Sequence, residues 1–262
     1  NDKHGTRWKV CAIPLGGYVK FFGDRNVYSQ ADHEEILEKY NEEEREKLFI
    51  LKPLYQRVLI VFGGPLANFL LALVIFFSIY TFVGKDFTPA VINEVQKDSP
   101  AMAGGLKQND VILEIDGNKV ESIMDVSKFI TMSTDEIIDF KVKRSYDELI
   151  LKIKPNIVPG EDNLGNKLNK RIVGIKLGAY NNEINHVKLG PAQAIYHAAH
   201  EVYFVGISSL KYIGAMIFGK ADTSQLGGPI RIAKISGQVA EFGVLAFISM
   251  MAYISISLGL VN

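Results

Sequence analysis

An excess of charge of either sign is missing from this chain, and cysteine is almost missing. The 262 residues carry 29 basic and 29 acidic side chains, so nothing electrostatic points towards nucleic acid. One cysteine, Cys11, excludes an internal disulfide framework and a zinc ribbon. Gly104-Gly105 and Gly227-Gly228 lack the spacing of a phosphate loop. No basic-then-apolar leader precedes Asn1, which is not a natural start, so the chain reads as a fragment cut at the front. The most informative absence is local: no charged residue lies between Val58 and Gly84, with Arg57 and Lys85 at the borders. At about 1.5 Å per residue this run is long enough to cross about 30 Å of hydrocarbon, and it is expected to be a transmembrane helix. Phe242 to Asn262 is a second uncharged run, and the sequence stops inside it.

Polar sequence fills the space between the two runs. VINEV, DVILEID, IIDFKVKR and LILKIKP alternate at the period of half-buried strands. A helix is predicted from Ser122, its N-cap, to about Met132, with Ile123, Val126, Phe129 and Ile130 on one face. Residues 155–170, PNIVPGEDNLGNKLNK, read as a loop from their Pro, Gly and Asn content. Residues 13–22, IPLGGYVKFF, read as a short apolar hairpin, and the acidic and basic residues of 34–47 as a solvated helix face. Lys52 and Arg57 precede the first span while Lys85 is offset by Asp86, which puts residues 1–57 in the cytoplasm and 85–190 outside.

Residues 196–218 are helical in pattern and apolar overall, yet His197, His200, Glu201, Ser208 and Lys211 form one polar stripe. A helix lying in the membrane interface keeps such a stripe wet, whereas a spanning helix must bury it. His197-x-x-His200-Glu201 matches neither order of the metalloprotease helix motif and lacks a third ligand, so it is read as a polar stripe at a membrane surface and not as a zinc site. In FGGPLANF, Gly63 and Gly64 are expected to admit another element closely, Pro65 to sit in the first helical turn, and Asn68 to need a polar partner.

SPAMAGGLKQNDVILEIDGNKV, residues 99–120, with VINEV before it and the 122–132 helix after, resembles a bacterial protease PDZ domain, a fold that takes up extended peptides beside a strand. The whole chain resembles the bacterial site-2 proteases, intramembrane zinc metalloproteases that include the regulator of sigma-E protease. GTRWKVCAIPLGGYVKFFGD, KPLYQRVLIVFGGPLANF, LGGPIRIAKISGQVAEFGVLAF (with Gly227 where the family has serine) and SISLGLVN carry the likeness in family order.

The resemblance implies an α+β fold: a polytopic α-helical membrane protein with one inserted extracytoplasmic PDZ domain of mixed β with a short helix. Residues 1–57 would form a cytoplasmic, re-entrant β-hairpin region and charged linker, and 58–84 a transmembrane helix. Residues 88–178 would form the PDZ domain, 190–219 an amphipathic interfacial helix, 220–240 a connecting segment and 241–262 a truncated transmembrane helix. The family's zinc ligands and catalytic glutamate would fall before Asn1 and after Asn262, so no catalytic or metal residue is expected here, and the fragment alone would be inactive. Gly16, Gly17, Tyr18 and Val19 would hold an extended substrate, with Asn68 and Asn262 near the site. The implied cofactor is zinc, and the implied partners are the lipid bilayer and single-pass membrane proteins such as anti-sigma factors or remnant signal peptides. The location implied is the bacterial inner membrane with the PDZ domain in the periplasm. The alternative is a non-catalytic, membrane-tethered PDZ module that binds peptides.

Overall fold

A computed structural model describes residues 40–161, 167–179, 183–219 and 229–262. The chain divides into two compact units, residues 1–63 and 64–262. In the first, helix α1 (Glu42–Arg45) opens on a capping box, with Asn41 Oδ1 accepting from the Glu44 N–H at 2.9 Å and Glu44 Oε2 from the Asn41 N–H at 3.2 Å. That arrangement satisfies two otherwise unpaired N–H groups. Lys47 reaches back one turn to Glu43 at 3.1 Å, both exposed, as a solvated charged face should be.

The first uncharged run forms helix α2 (Leu54–Ser78), extended by a π-helical turn over Ile79–Val83. Pro65 lies well inside α2 and not in its first turn as expected. A proline there leaves the carbonyl four residues earlier without its helical donor, a cost that packing must offset.

Within the second unit, strands β1 (Lys85–Asp86), β2 (Ala90–Val95), β3 (Val111–Ile115), β4 (Asn118–Lys119), β5 (Ile138–Arg144), β6 (Asp147–Ile153), β7 (Asn156–Glu161), β8 (Lys167–Ile172), β9 (Ile175–Ala179) and β10 (His186–Val187) build the polar middle. Their main sheet runs β6-β5-β3-β2-β9, with β4 on β3, and its pairs are antiparallel. Two short helices accompany it: α3 (Pro100–Ala103) and α4 (Ile123–Met132). Ser122 caps α4 as predicted, in a capping box with Asp125, and Val126, Phe129 and Ile130 are buried against Ile112, Ile115, Phe140 and Val142. Asp110, wholly buried, takes a two-pronged grip from Arg144 at 2.8 and 2.7 Å and the Lys107 N–H at 2.9 Å. The domain joins its flanking helices through the β1–β10 ribbon, where Lys85 pairs with Val187 and Asp86 with His186.

Within 155–170, expected to be a loop, residues 156–161 and 167–170 form strands. β7 and β8 form a six-rung antiparallel hairpin from Asn156↔Ile172 to Glu161↔Lys167, separate from the main sheet. Pro159 and Gly160 read as breakers in the sequence, but a two-stranded ribbon has an outer edge on which a missing N–H costs nothing.

Three helices end the chain: α5 (Pro191–Ile217), α6 (Pro229–Glu241) and α7 (Val244–Val261). The segment assigned to a connection thus contains a helix, α6, described from Pro229 to Glu241. α2 with its π turn and α7 are long and apolar enough to cross a membrane, and only 6% and 22% of their most apolar stretches are buried. Exposure of that kind is unlike the core helix of a water-soluble domain.

Candidate functional site

α2 and α7 pack antiparallel, because Phe76 meets Tyr253 edge-on at 5.3 Å while Asn68 meets Ser255 and Phe69 lies against Gly259. Ser255 Oγ donates to the Asn68 main-chain carbonyl at 2.8 Å and lies 3.5 Å from Asn68 Oδ1. The hydroxyl proton of this serine on the second apolar helix is thus committed to the Asn68 main chain, and the side-chain amide lies only at the edge of its reach. The expected close approach at Gly63 and Gly64 is not seen: among the described residues, a Cβ at either would have nothing within 4 Å. Gly259 makes that approach instead, since a Cβ there would stand 3.1 Å from the Phe69 ring and 3.2 Å from the Pro65 carbonyl oxygen. Small residues let helix backbones approach where lipid offers no hydrophobic drive. Asn262 is exposed and donates its N–H to Leu258 within its own helix at 3.1 Å. Gly16, Gly17, Tyr18 and Val19 lie outside the described residues.

The polar stripe of α5 divides: His200 and Lys211 are exposed as expected and His197 is half-buried, but Glu201 and Ser208 turn inward. Glu201 and Ser208 are buried with Ala194, Ala198, Phe204 and Val205, while Tyr196, Tyr203, Leu210 and Ile217 are exposed. A carboxylate costs less inside when charged donors meet it there, and they do. Glu201 Oε2 accepts from Lys128 Nζ at 2.9 Å, and Lys128 also reaches Asp125 at 3.2 Å. Burial works against the Lys128 charge, but Glu201 and Asp125 outweigh it and hold the ammonium above the usual lysine range.

At the start of α5, Lys85 pairs with Glu121 and lies 3.2 Å from His197 Nδ1, which is 3.4 Å from Glu121 Oε2. Burial and the neighbouring Lys85 charge keep His197 below the ordinary imidazole value, although Glu121 opposes them. Burial would raise Glu121, but the Lys85 hydrogen bond and charge, with His197 and Lys119, bring it below the usual carboxylate range. Exposed Lys211 helps line a cleft of about 280 Å³ between the end of α4 and α5, with Asp116, Asp135 and Tyr203.

β9 ends the main sheet, so one of its edges carries no strand among the described residues. α4 packs beside it and leaves Met124, Ser127 and Thr131 exposed. The chain enters β9 through Gly174, whose φ is +82° and where a Cβ would come within 2.4 Å of the Ser99 Cβ, so glycine is required. Arg171 ties the β7–β8 hairpin to the loop after α4 by donating to the Ser133 carbonyl at 2.9 Å and to that of Asp135.

No three His, Cys, Asp or Glu side chains converge on a metal position among the described residues. At His197 the Lys85 ammonium beside Nδ1 would repel a metal ion. These residues do not fit a zinc centre. Sequence reasoning marked His197, Glu201 and Asn68, but not Lys85, Glu121, Lys128, Tyr253 or Ser255, whose roles come from contacts between distant segments. The only local hint was that apolar α5 carries a carboxylate at all.

Comparison with known proteins gives a family. The model of peptidase family M50 matches residues 1–262. "Putative zinc metalloprotease Atu1380" of Agrobacterium fabrum is 38% identical over 261 residues, all of this chain and 69% of the relative. "Metalloprotease MmpA" of Caulobacter vibrioides is 31% identical over 247 residues, 92% of this chain and 61% of that one. Among solved structures, the PDZ domain of an SdrC-like protein from Listeria monocytogenes is 25% identical, covering 35% of this chain and 88% of its own, with a TM-score of 0.28. That score is too low to bear on the fold, which stands on its own strand order. The family match extends over every residue, and this chain is a member of peptidase family M50.

Proposed function

We propose that this chain is the greater part of an intramembrane endopeptidase of the site-2 type, which cleaves within the spans of single-pass membrane proteins such as anti-sigma factors or remnant signal peptides. α2 and α7 would cross the bacterial inner membrane, and the sheet domain would be a periplasmic PDZ domain. The relatives are named as zinc metalloproteases, and zinc would be the metal here. The described residues would bind and orient substrate.

The observation that carries the reading is the α2–α7 contact, where Asn68, Ser255 and Gly259 bring a polar group and a close backbone approach into an otherwise apolar helix pair. A substrate helix opened for cleavage exposes N–H and C=O groups that lipid cannot satisfy. Asn68 would supply or brace partners for them, and Gly16, Gly17, Tyr18 and Val19 would add a strand to the extended segment. The edge of β9 that carries no strand among the described residues would take up an extended peptide outside the membrane.

The test uses the full-length protein in membrane vesicles with a tagged single-pass substrate. Cleavage by the wild type is expected, as is its loss in Asn68→Leu at unchanged accumulation. An inactive wild type would overturn the protease reading and leave peptide binding at β9 as the activity to measure. Unchanged cleavage by N68L would remove Asn68 from the site.

A further inference from the structure

Glu201 stands where three helices meet. It is 8% exposed, and its two oxygens serve different partners: Oε2 accepts from Lys128 of α4 at 2.9 Å, and Oε1 from the Tyr253 hydroxyl of α7 at 3.1 Å. Lys128 is held from its other side by Asp125, and its Nζ lies 5.2 Å from the centres of both the Phe129 and Phe204 rings. Asp125 is fixed in turn, accepting from the N–H groups of Ser122 at 2.9 Å and Glu121 at 3.1 Å. The chain of contacts therefore runs without a gap from the start of α4, through α5, to the middle of α7.

Stability alone gives little reason for such a group, because well-packed apolar side chains in place of a buried ion pair are often as stable. Direction gives a reason. Apolar contacts tolerate a small slide or rotation, whereas a carboxylate with each oxygen committed to a different helix loses a bond when either helix shifts. We propose that Glu201 is a positioning residue that fixes the second apolar helix, through Tyr253, to the helix flanking the open edge of β9, through Lys128. Its effect on cleavage rests on the protease reading above, but its effect on geometry does not.

The two are separated with the full-length protein, comparing Lys128→Met, the double variant Lys128→Met/Glu201→Met, and Tyr253→Phe. K128M leaves the buried Glu201 carboxylate without its ammonium and lowers the thermal midpoint, and the double variant recovers that loss by removing the carboxylate, while Asp125 keeps the N–H groups of Glu121 and Ser122. A merely structural Glu201 predicts that cleavage and hydrogen exchange return with the midpoint. A positioning Glu201 predicts that the double variant, although its midpoint recovers from that of K128M, still cleaves about tenfold more slowly and exchanges residues 244–261 about tenfold faster, the scale of one lost hydrogen bond to a charged group. Y253F should show the same two changes. If the wild type does not cleave but the exchange pattern holds, the protease reading fails and the positioning role stands. Wild-type exchange across 244–261 in the double variant or in Y253F overturns the proposal. Should the double variant not recover its midpoint, Y253F decides alone, since it removes one hydroxyl from a packed ring.

Discussion

Along β5, Ile138, Phe140 and Val142 are fully buried while Asp139 and Lys143 face outward; along α2, Val58, Leu66, Leu70 and Val74 are all exposed. The sheet domain encloses its apolar side chains, and its few buried charges are answered inside, as Asp110 is by Arg144. The helix pair reverses this, with apolar side chains outward and its specific contacts made by a glycine, a serine and a tyrosine. In water, burial of apolar area drives folding and a buried ion pair only has to be satisfied. Between helices in lipid that drive is absent, so close packing and single hydrogen bonds decide which faces meet. α5 lies between the two regimes and shows both, with Glu201 and Ser208 inward and a tyrosine- and isoleucine-rich face outward.

The comparison is most sharply tested at Asp110. Arg144→Met strands a carboxylate that is 0% exposed and should destabilise the sheet domain by about 3–5 kcal/mol, read as a lower denaturation midpoint in the full-length protein. A small change there would mean that the domain does not rely on internal charge satisfaction. Gly259→Leu comes next: overpacking against Phe69 and Pro65 should cost about 1–3 kcal/mol and weaken disulfide trapping between cysteines placed in α2 and α7. Ser255→Ala removes one hydroxyl bond and should cost only about 0.6 kcal/mol, the usual worth of such a bond between membrane helices. A loss several times larger would bring the helix pair closer to the sheet domain in its dependence on polar contacts.

The smallest effect expected is a pH dependence at the junction. His197 is held below its ordinary value of 6.5, so the folded form prefers the neutral ring. The unfolded chain then binds more protons in that window, and stability is complete above pH 6.5 and declines as pH falls below it. Glu121, depressed below its ordinary 4.5, adds a loss in the same direction at still lower pH. His197→Asn should flatten the first decline and spare the second, as read from thermal midpoints across the acid range.

Four strands of the main sheet, β2, β3, β5 and β6, and α4 were legible because their periods of two and near four record which face is buried, and Ser122 marked the start of α4, whereas β4 and β9 were not anticipated. The β7–β8 hairpin was not, because a two-stranded ribbon outside the main sheet buries little and need not alternate. The polar stripe of α5 was visible, and His200 and Lys211 are exposed as expected, but the inward turn of Glu201 was not legible: the same spacing suits a carboxylate turned to water or one turned to an internal lysine. Gly63 and Gly64 drew attention as neighbours in sequence, whereas the glycine that packs closely, Gly259, stands alone in its segment.

The amino-acid order by itself determined two apolar helices, a mixed domain inserted between them and the kinship with the M50 peptidases, since hydrophobic period, run length and motif order are local properties of the chain. Only the tertiary structure decided that Ser255 meets Asn68, that Gly259 makes the close approach, and that Glu201 ties Tyr253 to Lys128. Those are pairings between segments far apart in sequence, and a side chain's hydrogen-bonding capacity says that it needs a partner without saying which one the packing will bring.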